Sequence, residues 1–245
     1  MTLLIDADWL AYSSCAACEQ DVRWTEDIHS LWCSEQDVME LFDARVSHYQ
    51  SIADDKGPVI MCFTEYPTFR HGIFDEYKTN RIGKRKPLAL KDVRKKIVKN
   101  YQAISFDGLE GDDVMGLLAT GNRYEDPIIV SPDKDMKGVP CRLLANDEIE
   151  LITRKRADRN WMLQCLTGDS GDNIPGLIGV GPVTANKILG DAESLSDMWD
   201  KVITTYEKKK KTYADALMTA RLTRILRDGE YNHVTGEVKL WEPTL

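Results

Sequence analysis

Residues 127–135 read Pro-Ile-Ile-Val-Ser-Pro-Asp-Lys-Asp. The apolar run is too short for a helix, and its β-branched residues between turn formers suit a buried strand. Its C-terminal end delivers Asp133 and Asp135. The pattern occurs twice more: Leu3-Leu4-Ile5 ends in Asp6, and Val59-Ile60-Met61-Cys62-Phe63, opened by Pro58, is followed by Glu65. Helical patterns separate these runs. Val38, Leu41, Phe42, Val46, Tyr49 and Ile52 recur at three- and four-residue steps behind a Ser34 N-cap,. Pro87 opens a helix carrying Val93, Ile97 and Tyr101, and residues 109–121 start another with Asp112 and Asp113 in its first turn,. Strands alternating with helices predict an α/β fold with a mostly parallel central sheet flanked by helices.

From about residue 156 the strand signals largely stop. Helices are expected over 161–166, 182–189, 195–206 and 213–226, with a short strand over 238–241 and Lys208–Lys211 ending a helix. The division is therefore an α/β core, 1–155, and a helical region, 156–245. Within the core, residues 70–86 show no period and contain Gly72 and Gly83, which predicts a long loop or a helix that orders only on a ligand,.

The 245 residues are 42% hydrophobic and 29% charged, with a mean hydropathy of -0.38. That composition excludes disorder, and no run of eighteen apolar residues suggests a membrane span,. The opening MTLLIDADWLAY has no basic region before its apolar run, so neither a secretory signal nor a transit peptide is expected, and the compartment is cytoplasmic,. Six scattered cysteines then read as reduced thiols,. Cys15, Cys18, His29 and Cys33 offer zinc-type ligands in order, but the small-residue setting of the first two favours buried thiols,.

The net charge of -8 alone argues against a nucleic-acid partner. Its distribution reverses the argument: residues 78–99 carry ten bases against Asp92, a local +9 that leaves -17 elsewhere,.

Acids recur wherever strands end or helices begin: Asp6 and Asp8, Glu65, then Glu110, Asp112 and Asp113, then Asp133 and Asp135, then Asp169 and Asp172. Strand ends of a parallel sheet open on one crevice, where so much negative charge calls for a hard cation, magnesium or manganese. No Gly-x-Ser-x-Gly elbow and no Walker glycine loop competes, so metal-assisted hydrolysis of a phosphodiester is the expected chemistry,. Residues 168–190 form the second signal. Gly176, Gly179 and Gly181 between two helices, followed by Thr184 and Lys187, predict a helix-hairpin-helix whose backbone N–H groups grip phosphates without reading sequence,.

LLIDADWLAY, FRHGIFDEYKTNR, GLEGDDVMG, IVSPDKDM and GDSGDNIPGLIGVGPVTANKIL stand in one order from residue 2 to about 190. By these elements the chain resembles the 5′-nuclease (flap endonuclease) family, and its tail resembles the short 5′ to 3′ exonucleases of short-tailed bacteriophages. The resemblance implies a PIN-like core with a basic helical arch over about 70–99. It implies two or more Mg2+ ions, replaceable by Mn2+, on Asp6, Glu110, Asp112, Asp113, Asp133, Asp135, Asp169 and Asp172. Glu65 stands where family members carry an Asp and is read as its outer-shell substitute; Asp8 has no counterpart. Lys78 and Arg81 would meet the reacting phosphate, Tyr77 would stack on a terminal base, and Lys84, Arg85 and Lys86 would follow the DNA. Lys91 to Lys99 read as a solvated face.

The implied function is a metal-dependent 5′ to 3′ exodeoxyribonuclease and 5′ flap endonuclease on duplex or branched DNA, also able to remove RNA from RNA-DNA hybrids, acting as a monomer without membrane contact. The rival is a non-catalytic structure-specific DNA-binding protein, which would lack some of these acids.

Overall fold

A computed structural model describes residues 1–54 and 56–243. In chain order the elements are β1 (Thr2–Asp6), α1 (Ala7–Cys18), the hairpin β2 (Gln20–Arg23) and β3 (His29–Trp32), α2 (Glu35–Ile52), β4 (Val59–Cys62) and α3 (Phe69–Ile73). A 3-10 turn, Thr79–Arg81, precedes α4 (Leu90–Asn100), β5 (Gln102–Ile104), α5 (Gly111–Thr120) and β6 (Pro127–Val130). A second 3-10 segment, Lys134–Gly138, leads to the hairpin β7 (Arg142–Ala145) and β8 (Glu148–Leu151). The helices α6 (Arg154–Thr167), α7 (Pro182–Leu189), α8 (Leu195–Lys208) and α9 (Tyr213–Thr223) follow, then the small hairpin β9 (Tyr231–Asn232) and β10 (Glu237–Val238).

The six-stranded sheet has the order β5-β4-β1-β6-β7-β8. All pairs are parallel except β7 with β8. Because the chain leaves β1 toward β4 on one side and joins β6 on the other, the strand order reverses beside β1. A crevice opens at the carboxyl ends of strands at such a point.

The apolar runs form buried strands because both sheet faces are covered. On one face Leu3, Ile5 and Met61 pack with Leu10, Val38, Phe42 and Val93 of α1, α2 and α4. On the other, Leu4, Ile60 and Ile129 pack with Val114, Met115 and Leu118 of α5. A third core joins α6 to α9 around Trp161, Trp199, Val202 and Tyr206.

The structure modifies several expectations. Residues 70–86 are ordered through α3 and the first 3-10 turn, with an irregular stretch only afterwards. The helix expected from Pro87 begins at Leu90, and α6 starts well before residue 161. Strands β2, β3, β5, β7 and β8 had no clear signal: three to four residues each, and exposed or half-exposed apart from the centre of β7, they lack a measurable period. Nor does the helical region stand apart from the core. After α9 the chain returns across α5, where Ile225 and Leu226 join the second core. Gly116 permits that approach, since a Cβ there would lie 2.3 Å from the Leu226 carbonyl.

The six cysteines are free thiols, Cys15 is buried, and His29 pairs with Asp21 on the hairpin. Among the described residues no helix is long and apolar enough to cross a membrane.

Candidate active site

Asp6 ends β1 and caps α1: its carboxylate accepts the Trp9 N–H at 3.0 Å and the Ser131 hydroxyl at 3.2 Å. Asp133 follows β6, accepts the Asp135 N–H at 2.8 Å and so fixes the turn that presents Asp135. Glu110 and Asp112 come from the N-terminus of α5, where helix dipole and free N–H groups favour anions,. Asp169 and Asp172 come from the loop after α6. The ends of β1 and β6 and the start of α5 thus bring Asp6, Asp112, Asp133 and Asp135 to a cavity of about 990 Å3 that also borders Glu110 and Asp172.

The charges divide in two. Glu110, Asp169 and Asp172 have cationic partners: Lys78 lies 2.7 Å from Glu110 and 3.5 Å from Asp172, Arg81 pairs with Asp172, and Lys134 lies 3.3 Å from Asp169. Burial would raise the Glu110 carboxyl, but Arg70 and Lys78 outweigh it and hold it below its ordinary value. Burial likewise acts against ionised Asp169, yet Lys134 and the Gly171 N–H keep it lowered. Asp6, Asp112, Asp133 and Asp135, by contrast, form no ion pair among the described residues. Burial, then repulsion from Asp8 and Asp133, raises Asp6 to about 6. Burial and then Asp133 raise Asp135 to about 7. Asp112 is pushed well up by burial, with Asp6 and Asp133 adding to it.

Four oxygen-donor acids repelling one another with no ion-pair partner among the described residues fit a hard divalent ion. No three His, Cys, Asp or Glu side chains among the described residues are gathered closely enough to cage an ion alone.

Asp113 does not belong to this set. It is fully buried, accepts two hydrogen bonds from Arg70 at 2.5 and 2.8 Å, and also accepts the Leu226 N–H at 3.1 Å. Its carboxylate anchors the returning tail. Glu65 is directed away from the acid cluster toward Arg94, 3.3 Å distant. Asp8, unmatched in sequence, shares Arg94 at 2.9 Å and accepts the Thr64 N–H at 2.8 Å, tying α1, β4 and α4 together.

Tyr77 is 2% exposed, and its hydroxyl donates to Glu110 and Asp172. It is a support for the acids, with no free face for a terminal base. The exposed Tyr66 and Tyr12 border the same cavity and went unnoticed in sequence, where an isolated tyrosine in a loop or helix has no signature. Lys84, Arg85 and Lys86 line the cavity, and Arg85 is also held by Glu19 at 2.7 and 2.8 Å. On α4, Lys95 and Lys96 point outward to Asp92 and Glu35, whereas Lys91 and Arg94 reach the cavity wall. The sequence reading of 91–99 as a solvated face therefore holds for only part of the helix.

Gly179, with φ of 78°, makes the turn before α7. The N–H groups of Gly179 and Gly181 have no acceptor among the described residues, and Thr184 is exposed one turn into α7. Lys187 is exposed in the last turn of α7, away from the hairpin tip. Gly176 is a packing residue: a Cβ there would lie 2.0 Å from the Thr167 carbonyl.

The family description 5′-3′ exonuclease, N-terminal resolvase-like domain, fits residues 1–165. The exonuclease of Escherichia phage T7 is 27% identical over an alignment covering 98% of this chain and 93% of that protein. The exodeoxyribonuclease of Enterobacteria phage T3 is 26% identical, with 98% and 92% covered. The bacteriophage T5 flap endonuclease, crystallised with DNA and metal ions, superposes with a TM-score of 0.62 at 13% identity, covering 91% of this chain and 89% of that one, a likeness of fold.

Proposed function

The chain belongs to the 5′-3′ exonuclease family, and from that premise and the acidic crevice we propose that it hydrolyses phosphodiester bonds near DNA 5′ ends by means of divalent metal ions. It is a hydrolase of the exonuclease and flap endonuclease kind. The observation that carries the site assignment is the group of unpaired acids at the carboxyl ends of β1 and β6 and the start of α5, faced by Lys78 and Arg81.

Asp6, Asp112, Asp133 and Asp135 would hold Mg2+, with Glu110, Asp169 and Asp172 beside them. Ions bound there supply an activated water and neutralise charge on the scissile phosphate. The protein's own groups do the rest. Lys78, whose ammonium is kept charged against its burial by Glu110 and Asp172, and Arg81 are free to exchange those carboxylates for phosphate oxygens, where negative charge grows in the transition state. The Tyr77 hydroxyl holds Glu110 and Asp172 in place during that exchange. Lys84, Lys86 and Lys91 guide the strand to the crevice, while the Gly179–Gly181 turn grips the duplex backbone. The T5 structure with DNA and metal ions supports this reading.

Duplex labelled at its 5′ end, incubated with Mg2+, with Mn2+ or with chelator, tests the proposal. Short labelled products with either metal and none with chelator are expected. Binding without cleavage under all three conditions would leave the DNA-binding rival.

A further inference from the structure

The turn that carries Lys78 and Arg81 is fastened by the loop between α6 and α7, which also begins the hairpin for DNA. Lys78 N–H donates to the Asp172 carbonyl at 2.9 Å. The Asn80 amide donates to the carbonyls of Ser170 and Gly171 at 2.9 and 3.2 Å, and Arg81 Nε donates to Gly171 at 3.2 Å. In the opposite direction, the Asn173 amide donates to the Glu76 carbonyl at 2.9 Å and to Thr79 Oγ1 at 3.2 Å.

Each side of this junction contains a left-handed residue, Lys78 with φ of 55° and Asn173 with φ of 58°. For lysine that conformation is costly and needs its surroundings to hold it, whereas asparagine adopts it more readily. The loop itself is closed: Asp169 and Ile174 exchange N–H···O bonds at 2.9 and 2.7 Å. Beneath the junction Tyr77 packs with Ile174 and Leu222. The loop can therefore act as a rigid extension of the hairpin, with the Lys78 turn as its cargo.

We propose that Asn173 and Asn80 are positioning residues, an uncharged clasp that couples the hairpin's grip on duplex DNA to the placement of Lys78 and Arg81 at the scissile phosphate. The proposal rests on the nuclease reading above. Neither amide carries charge, so the clasp acts on where Lys78 and Arg81 stand and adds nothing to the attraction of DNA. Its loss should appear in rate and not in affinity.

The test uses the full chain and 5′-labelled duplex. Asn173→Gly retains the left-handed backbone and deletes only the amide; Asn80→Ala is the second variant. Single-turnover cleavage with Mg2+ should slow by about tenfold or more, as a small misplacement of a catalytic group can produce. The Kd for duplex in chelator should stay within about twofold of wild type, since no phosphate contact is removed. In a Lys78→Ala background Asn173→Gly should cost less than in wild type, because the part of its effect that acts through Lys78 is already lost. Amide hydrogen exchange over residues 76–82 should quicken in Asn173→Gly without DNA or metal.

Unchanged cleavage, a rate loss undiminished in the Lys78→Ala background, or affinity falling in parallel with rate would each overturn the clasp. If wild type itself cuts nothing, the nuclease reading fails, and hydrogen exchange alone decides whether the clasp exists: unchanged protection in Asn173→Gly would remove it.

Discussion

Adjacent aspartates on α5 perform opposite tasks. Successive helical residues point about 100° apart, so Asp112 meets the crevice while Asp113 is driven into the protein against Arg70. Asp113→Asn leaves a buried guanidinium undercompensated and should destabilise folding by about 3–5 kcal/mol. Asp135→Asn removes a charge that burial and its acidic neighbours oppose; it should leave the melting temperature unchanged or higher while raising the Mg2+ concentration needed for half-maximal cleavage. Thermal melts and metal titrations on both variants check the division, and an equal loss of stability would contradict it. Glu65 belongs to a third class. With its side chain 44% exposed beside Arg94, it makes a surface pair worth about 0–1 kcal/mol. Glu65→Gln should therefore titrate with Mg2+ like wild type, and a shifted midpoint would return it to the site.

Elements differ in how much of their role was legible. The strands β1, β4 and β6 were readable because continuous apolar runs bounded by turn formers have one physical use, and a parallel sheet then places their terminal acids together. Which of Asp112 and Asp113 faces inward was not readable, since that depends on the tail crossing α5 from more than a hundred residues away. The basic stretch was visible as charge, but its partition was not: Arg85 is taken by Glu19 and Lys96 by Glu35, pairs without sequence signature. Arg70 sat in a quoted motif yet read as loop, because burial of an arginine depends on partners from distant segments. Assays in solution should separate the role of the hairpin from that of the Lys78 turn. Lys187→Ala should weaken duplex binding and make its salt dependence shallower by about one counterion if the residue meets a phosphate. Lys78→Ala should slow the single-turnover rate at saturating enzyme. Equal effects of both on rate would merge the two roles.

At the scale of the whole molecule, the crevice opposes folding until something relieves its charge. Asp6 at about 6 and Asp135 at about 7 lie above the ordinary aspartate value, and Asp112 is shifted the same way. A carboxyl with a raised folded pKa binds more protons folded than unfolded from about pH 4 up to that pKa, so its contribution to stability falls as pH rises through the window. The carboxyls held low, Glu19 at about 2 and Asp169 with it, act in the opposite direction, but only in more acid solution. The metal-free protein should therefore melt higher near about pH 5.5 than near about pH 8, above the values of Asp6 and Asp135,. A divalent ion binds the deprotonated form and competes with those protons, so it should stabilise most where they are absent. Melts at both pH values, with chelator and with millimolar Mg2+ or Mn2+, should show a large metal increment at the higher pH and a small one at the lower. Equal increments would mean that the raised carboxyls are not the ones that hold the ion.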